Sequence, residues 1–90
     1  MTENPFDLSG KIALITGTSR GLGQYMGRAL ARAGADLIIT SRDVESLAPF
    51  QQEIEALGRR AFPVALDVRD HDSIQAAIEA GHAHYGQIDI

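Results

Sequence analysis

The 90-residue chain contains no cysteine, so it has neither a disulfide framework nor a thiolate metal site. That absence suits a reducing compartment. Cationic residues are few: lysine and arginine number 8 against 12 acidic residues, a formal net charge of −4. The cations form no block, which argues against a nucleic-acid surface. Long apolar runs are missing too. Nothing approaches the ~18 residues of a membrane span, and the polar start "MTENPFDLSGK" carries no apolar signal core. The expected setting is therefore the cytoplasm, with neither membrane nor nucleic acid as partner.

What is present is an alternation of two periods. Residues 11–16, "KIALIT", form a near-continuous apolar run between Gly10 and Gly17, as in a strand of a parallel sheet covered on both faces. From Leu22 the period becomes helical, with Leu22, Met26, Ala29, Leu30 and Ala33 expected on one face and Gly34 as the stop. Asp36 to Ser41, "DLIITS", reads as a second strand. A helix follows to about Leu57, placing Leu47, Phe50, Ile54 and Leu57 on one face. With Ser46 as its N-cap, Pro49 falls in the first turn, where a missing N–H costs nothing.

Residues 61–66, "AFPVAL", read as a third strand, and Pro63 marks it as an edge. Asp70 or Asp72 caps a third helix carrying Ile74, Ala77, Ile78, Gly81 and Tyr85, and Gly86 ends it. The order strand-helix-strand-helix-strand-helix predicts an α/β fold, one parallel sheet with helices on both faces, in which residues 1–90 belong to a single domain.

The stretch "TGTSRGLG", residues 16–23, joins the first strand to the first helix. A helix start stripped of side chains exposes main-chain N–H groups that, with the helix dipole, attract an anion such as a phosphate. Gly17 provides the turn, Gly21 lets the main chain approach a pyrophosphate, and Gly23 lets helix and strand pack closely. Ser19, and Thr18 beside it, are expected as hydrogen-bond donors to that phosphate rather than as nucleophiles. No Lys-Ser or Lys-Thr pair follows, so the loop is not a P-loop.

The motif resembles the T-G-x-x-x-G-x-G signature of the short-chain dehydrogenase/reductases, and the likeness extends through "LSGKIALITG", "SR", "LDV" and "YGQIDI". The resemblance implies the N-terminal portion of a Rossmann-type doubly wound sheet, incomplete within these 90 residues. It implies an NAD(P)-dependent oxidoreductase interconverting an alcohol and a ketone, with sugars, polyols, steroids or 3-oxoacyl thioesters as substrate classes. A homo-oligomer is implied for the full-length protein. The diphosphate region falls to Gly17, Ser19, Arg20, Gly21, Leu22 and Gly23. Asp67 and Val68 fall at the adenine, Asp67 accepting from the exocyclic amine.

At the end of the second strand, where an acidic residue would hold a ribose 2′-OH, stands neutral Ser41, followed by Arg42. An arginine binds a 2′-phosphate through charge-assisted bonds, and Arg20 can approach the same group. NADP(H) is thus favoured over NAD(H), with Asp43 as the ribose ligand in the NAD(H) alternative.

The three histidines do not group for a metal, since His82 and His84 point apart on a helix and His71 lies at its far end; they are expected as solvated surface residues. The family's tyrosine, with lysine four residues on, and its Asn-Asn-Ala-Gly segment are not among these residues; neither Tyr25 nor Tyr85 has a lysine at that spacing. No catalytic residue is assigned. The alternative reading is a catalytically empty nucleotide-binding or regulatory module. A sugar-nucleotide epimerase of the related extended group is disfavoured, because its G-x-x-G-x-x-G spacing is absent.

Overall fold

The computed structural model describes residues 7–18 and 21–90. Its elements are β1 (Ile12–Ile15), α1 (Leu22–Arg32), β2 (Asp36–Ser41), a short 3-10 turn (Val44–Leu47), α2 (Ala48–Ala56), β3 (Ala61–Ala65) and α3 (His71–Tyr85). The three strands form one sheet in the order β1-β2-β3, both pairs parallel. Ile12 lies opposite Asp36 at one end of the first pair, and Ser41 lies opposite Ala65 at the far end of the second. Pro63 sits in β3, which among the described residues pairs with β2 alone, so its missing N–H interrupts no ladder on the outer side.

Alternation along the strands distributes the helices. Ala13, Ile15, Leu37 and Ile39 point to one face and join Ala31, Leu47, Phe50 and Ile54 from α1, the 3-10 turn and α2 in one buried core. Ile38 points to the other face, where α3 approaches so closely that a Cβ on Gly81 would fall 3.2 Å from Ile38 Cγ1. The sheet is covered on both sides, which is why β2 is apolar at successive positions rather than every second one.

The helix faces differ from the sequence expectation in one instructive way. The face of α1 turned to the sheet is made of small residues, Gly27 and Ala31, and not of Leu22 and Met26, which are 74% and 50% exposed. Phe50 of α2 fills the space beside Gly27, where an added Cβ would lie 2.8 Å from its ring. A large residue there would push α1 off the sheet, while Leu22 and Met26 border β1 in a groove shared with Leu14, Ile15, Leu30 and Ile90. Leu57 is likewise 42% exposed because the helix has ended by then.

Capping also departs from expectation after β2. The cap is Asp43, whose carboxylate accepts from Glu45 N at 3.1 Å, while Ser46 Oγ donates back to Asp43 O. The 3-10 turn begins there, and Pro49 falls in the first turn of α2, where its missing N–H costs nothing. Asp70 caps α3 by accepting from Asp72 N and Ser73 N, and left-handed Gly86 closes it with its N–H on His82 O at 2.7 Å.

The segment after α3 returns to β1. Asp89 N donates to Ile12 O, Ile12 N donates to Asp89 Oδ2, and Leu14 N donates to Ile90 O at 3.0 Å. The edge of β1 away from β2 is thus partnered along part of its length.

Candidate functional site

The C-terminal ends of the three strands converge on one side of the sheet, where the β1–α1, β2–α2 and β3–α3 connections meet. Loops at this edge are the usual place for a ligand in an open parallel sheet. Gly17, Ser41, Arg42, Leu66, Asp67, Val68 and Arg69 line a cleft of about 420 Å³ there. The sequence-selected Gly17, Arg42, Asp67 and Val68 therefore share one cleft, although they come from three separate connections. Gly21, Leu22 and Gly23 are not among its lining residues.

The β1–α1 loop is built by its main chain. Gly17 and Gly21 have φ of 67° and 68°, a region that side chains disfavour, and open space surrounds the position of a Cβ at each. Gly21 is the N-cap of α1 and supplies no side-chain hydrogen bond. The first-turn amides of the helix therefore face outward without a side-chain acceptor from their cap. Gly23 is fixed for the opposite reason: a Cβ there would lie 2.8 Å from Gly17 C and closer still to its oxygen. This arrangement, bare where it is open and glycine where it is crowded, fits a diphosphate lying against main-chain nitrogens. Ser19 and Arg20 lie outside the described residues.

Thr18 does not serve the loop as the sequence suggested. It is fully buried, with its N–H and its hydroxyl both donating to Thr40 O at 3.0 Å, and its hydroxyl oxygen accepting from Thr40 N at 2.9 Å. Thr40 Oγ1 in turn donates to Ile15 O at 2.7 Å. Nothing in the hydroxyl is left for a phosphate. The threonine pair instead staples the glycine loop to the end of β2, which sets the spacing between the cradle and Arg42.

The second connection begins with Ser41, whose main-chain O accepts from Leu66 N at 2.9 Å and ties the ends of β2 and β3 together. Arg42 follows, exposed, and has no ion-pair partner among the described residues. The Asp43 carboxylate accepts from Glu45 N through Oδ1. The third connection is a side-chain network. Asp67 N donates to Ser73 Oγ at 2.9 Å, Asp67 O accepts from Asp70 N at 3.0 Å, and the Asp67 carboxylate pairs with Arg69. The Arg69 side chain and main-chain N–H, with a smaller contribution from the charge of Arg42, hold that carboxyl below the ordinary aspartate value. Val68 is 60% exposed at the cleft wall.

The remaining polar groups are structural. Tyr85 OH donates to Leu37 O at 2.9 Å, and burial pushes its phenol up to about 12, so it is no acid or base near neutrality. His84 is not simply solvated: its ring stacks on Phe62 with centroids 4.0 Å apart. Sequence reading missed both partners because they are adjacent only in space. Among the described residues there is no group of three His, Cys, Asp or Glu placed to hold a metal, and no helix long and apolar enough to cross a membrane.

Residues 11–90 match the family model described as short chain dehydrogenase. The chain belongs to the short-chain dehydrogenase family. It is 41% identical over 85 residues to gluconate 5-dehydrogenase of Gluconobacter oxydans (strain 621H), covering 94% of this chain and 33% of that protein. Among solved structures, it superposes on a putative short-chain alcohol dehydrogenase from Sinorhizobium meliloti 1021 with TM-score 0.89 and 48% identity, over 93% of this chain and 33% of the other. A metagenomic short-chain oxidoreductase in complex with NADP gives TM-score 0.86 and 39% identity, over 93% and 38%. The chain spans about a third of the length of the curated relatives it matches. The family is an NAD(P)-dependent one, and the three parallel strands with their helices form the βαβαβα portion of its Rossmann-type fold.

Proposed function

We propose that this chain forms the adenosine and diphosphate half of an NADP(H) site in an oxidoreductase that interconverts an alcohol and a ketone. The observation that carries the reading is the glycine cradle. Gly17 and Gly21 leave open space at positive φ, Gly23 packs against Gly17, and no side chain of Gly21 caps α1. The first-turn amides of α1, with Ser19 and Arg20, hold the diphosphate. Arg42 meets the 2′-phosphate, and Asp67 and Val68 meet the adenine. When bound, the cofactor supplies hydride transfer at its nicotinamide; these residues bind and orient its other end.

Preference for NADP(H) over NAD(H) is supported by charge and geometry. Ser41 offers no carboxylate to repel a 2′-phosphate, Arg42 has no ion-pair partner among the described residues, and the Asp43 carboxylate accepts from Glu45 N. The relative in complex with NADP agrees. Isothermal titration of the chain with NADP⁺ and NAD⁺ tests it. A charge-assisted bond to phosphate is worth about 1.5–3 kcal/mol, so Arg42→Ala should weaken NADP⁺ binding roughly 10- to 150-fold and leave NAD⁺ binding nearly unchanged. Equal binding of the two cofactors by the unmodified chain refutes the preference.

Substrate class is proposed more broadly, as a small alcohol or ketone of the sugar, polyol or 3-oxoacyl type, the relative named gluconate 5-dehydrogenase standing closest to the first. The cytoplasm is the proposed location, and a homo-oligomer the proposed state of the full-length protein. A second reading, a nucleotide-binding module without catalysis, is favoured for these 90 residues by Tyr85, whose hydroxyl is engaged with Leu37 O. Hydride transfer to a panel of ketones, assayed with NADPH, separates the two.

A further inference from the structure

Asp67 is held from every side. Its N–H is anchored on Ser73 Oγ and its carbonyl on Asp70 N. Its Oδ1 accepts from Arg69 N at 3.0 Å and from Arg69 Nε at 3.2 Å, and its Oδ2 accepts from Arg69 Nη2 at 3.3 Å. An ionised carboxylate has about four acceptor positions, two on each oxygen. Both positions on Oδ1 are taken by Arg69. One position on Oδ2 is left, on the side chain of a residue that lines the cleft.

The guanidinium fork also fixes the plane of the carboxylate, because rotation about the Cβ–Cγ bond breaks the two side-chain bonds together.

We propose that Arg69 is a positioning residue that gives the cleft its base specificity, by clamping the Asp67 carboxylate so that a single Oδ2 lone pair is presented to the amino group of an adenine. The proposal rests on the reading of this cleft as the adenine end of a dinucleotide site. It adds a residue that acts through the Asp67 carboxylate. A base carrying a carbonyl in place of the amine, such as hypoxanthine, sets oxygen against that fixed oxygen and is rejected. With the clamp removed the carboxylate turns, and the two bases are no longer told apart.

The test compares NADP⁺ with its hypoxanthine counterpart, titrated calorimetrically into the 90-residue chain. The unmodified chain should favour the adenine form by about tenfold, the worth of one net hydrogen bond. Arg69→Ala and Arg69→Lys, which lacks the fork, should reduce that preference to about twofold or less, chiefly by weakening the adenine form. Asp67→Asn should remove it as well, and adding Arg69→Ala to Asp67→Asn should change nothing further. The Arg69 side chain is 72% exposed, so thermal melts of the Arg69 variants should match the parent. Retention of the adenine preference in Arg69→Ala overturns the proposal. So does an equal loss for both ligands, which is the mark of a general charge effect. If the unmodified chain binds the two ligands alike, the adenine reading itself falls, and the role of Arg69 with it.

Discussion

Two connections at the same end of the sheet solve the problem of holding a ligand by opposite means. The β1–α1 loop works through what it omits. Its glycines give positive φ at Gly17 and Gly21 and close contact at Gly23, and the buried hydroxyl of Thr18 is turned inward. The β3–α3 loop works through side chains, with Asp67, Arg69, Asp70 and Ser73 bonded to one another or to neighbouring main chain. In the proposed site the first offers a shape that a diphosphate can use, and the second offers directed acceptors to a base. That proposal assigns affinity and selectivity to separate loops, each of which can be damaged alone.

The largest effect should come from the first loop. In Gly23→Ala the new methyl meets main chain that cannot move aside, costing about 1–3 kcal/mol of stability and taking dinucleotide binding below detection in calorimetry. If binding survives, the cradle is not where the diphosphate lies. Thr18→Val comes next. It leaves the buried Thr40 N–H without its acceptor, a loss of about 1–3 kcal/mol, seen as a lower urea midpoint and faster amide exchange at Thr40, with the nucleotide weakened but still bound.

The second loop should yield less. Asp70→Ala removes the cap of α3 and costs about 1 kcal/mol, measurable by urea denaturation, and should leave diphosphate affinity nearly intact. Smallest of all is the response to acid. The folded pKa of Asp67 lies below its ordinary 3.8, so what its charge contributes is complete above that value and lost as pH falls through the lowered one. The Asp67 carboxyl carbon, followed by NMR, should titrate below 3.8 in the parent and return toward it in Arg69→Ala. A titration unchanged by Arg69→Ala would separate the two residues and blur the contrast between the loops.

Much of this was legible in the sequence, since a switch from apolar runs to helical spacing records the order of strands and helices directly. Pro63 marked the edge strand correctly, and Asp70 and Gly86 marked the ends of α3. The errors share one physical origin. Leu22 and Met26 were expected to be buried with Leu30; they do border β1 beside Leu14 and Ile90, yet stay 74% and 50% exposed. Thr18 was read by its neighbours in sequence, and its true partner lies 22 residues away on β2. Ser46 was read as the cap because it stands three residues before Pro49, whereas the folded chain starts a 3-10 turn earlier and caps it with Asp43. Arg69 drew no notice at all; a basic residue two positions after an aspartate in a turn was the available signal.

The bond between Ile12 and Asp89 spans 77 positions. A ribosome adds roughly 5–20 residues each second, so a nascent β1 waits on the order of 4–15 s for that partner to be made. Through this interval an apolar strand can dock on β2 while its other margin stays unfilled.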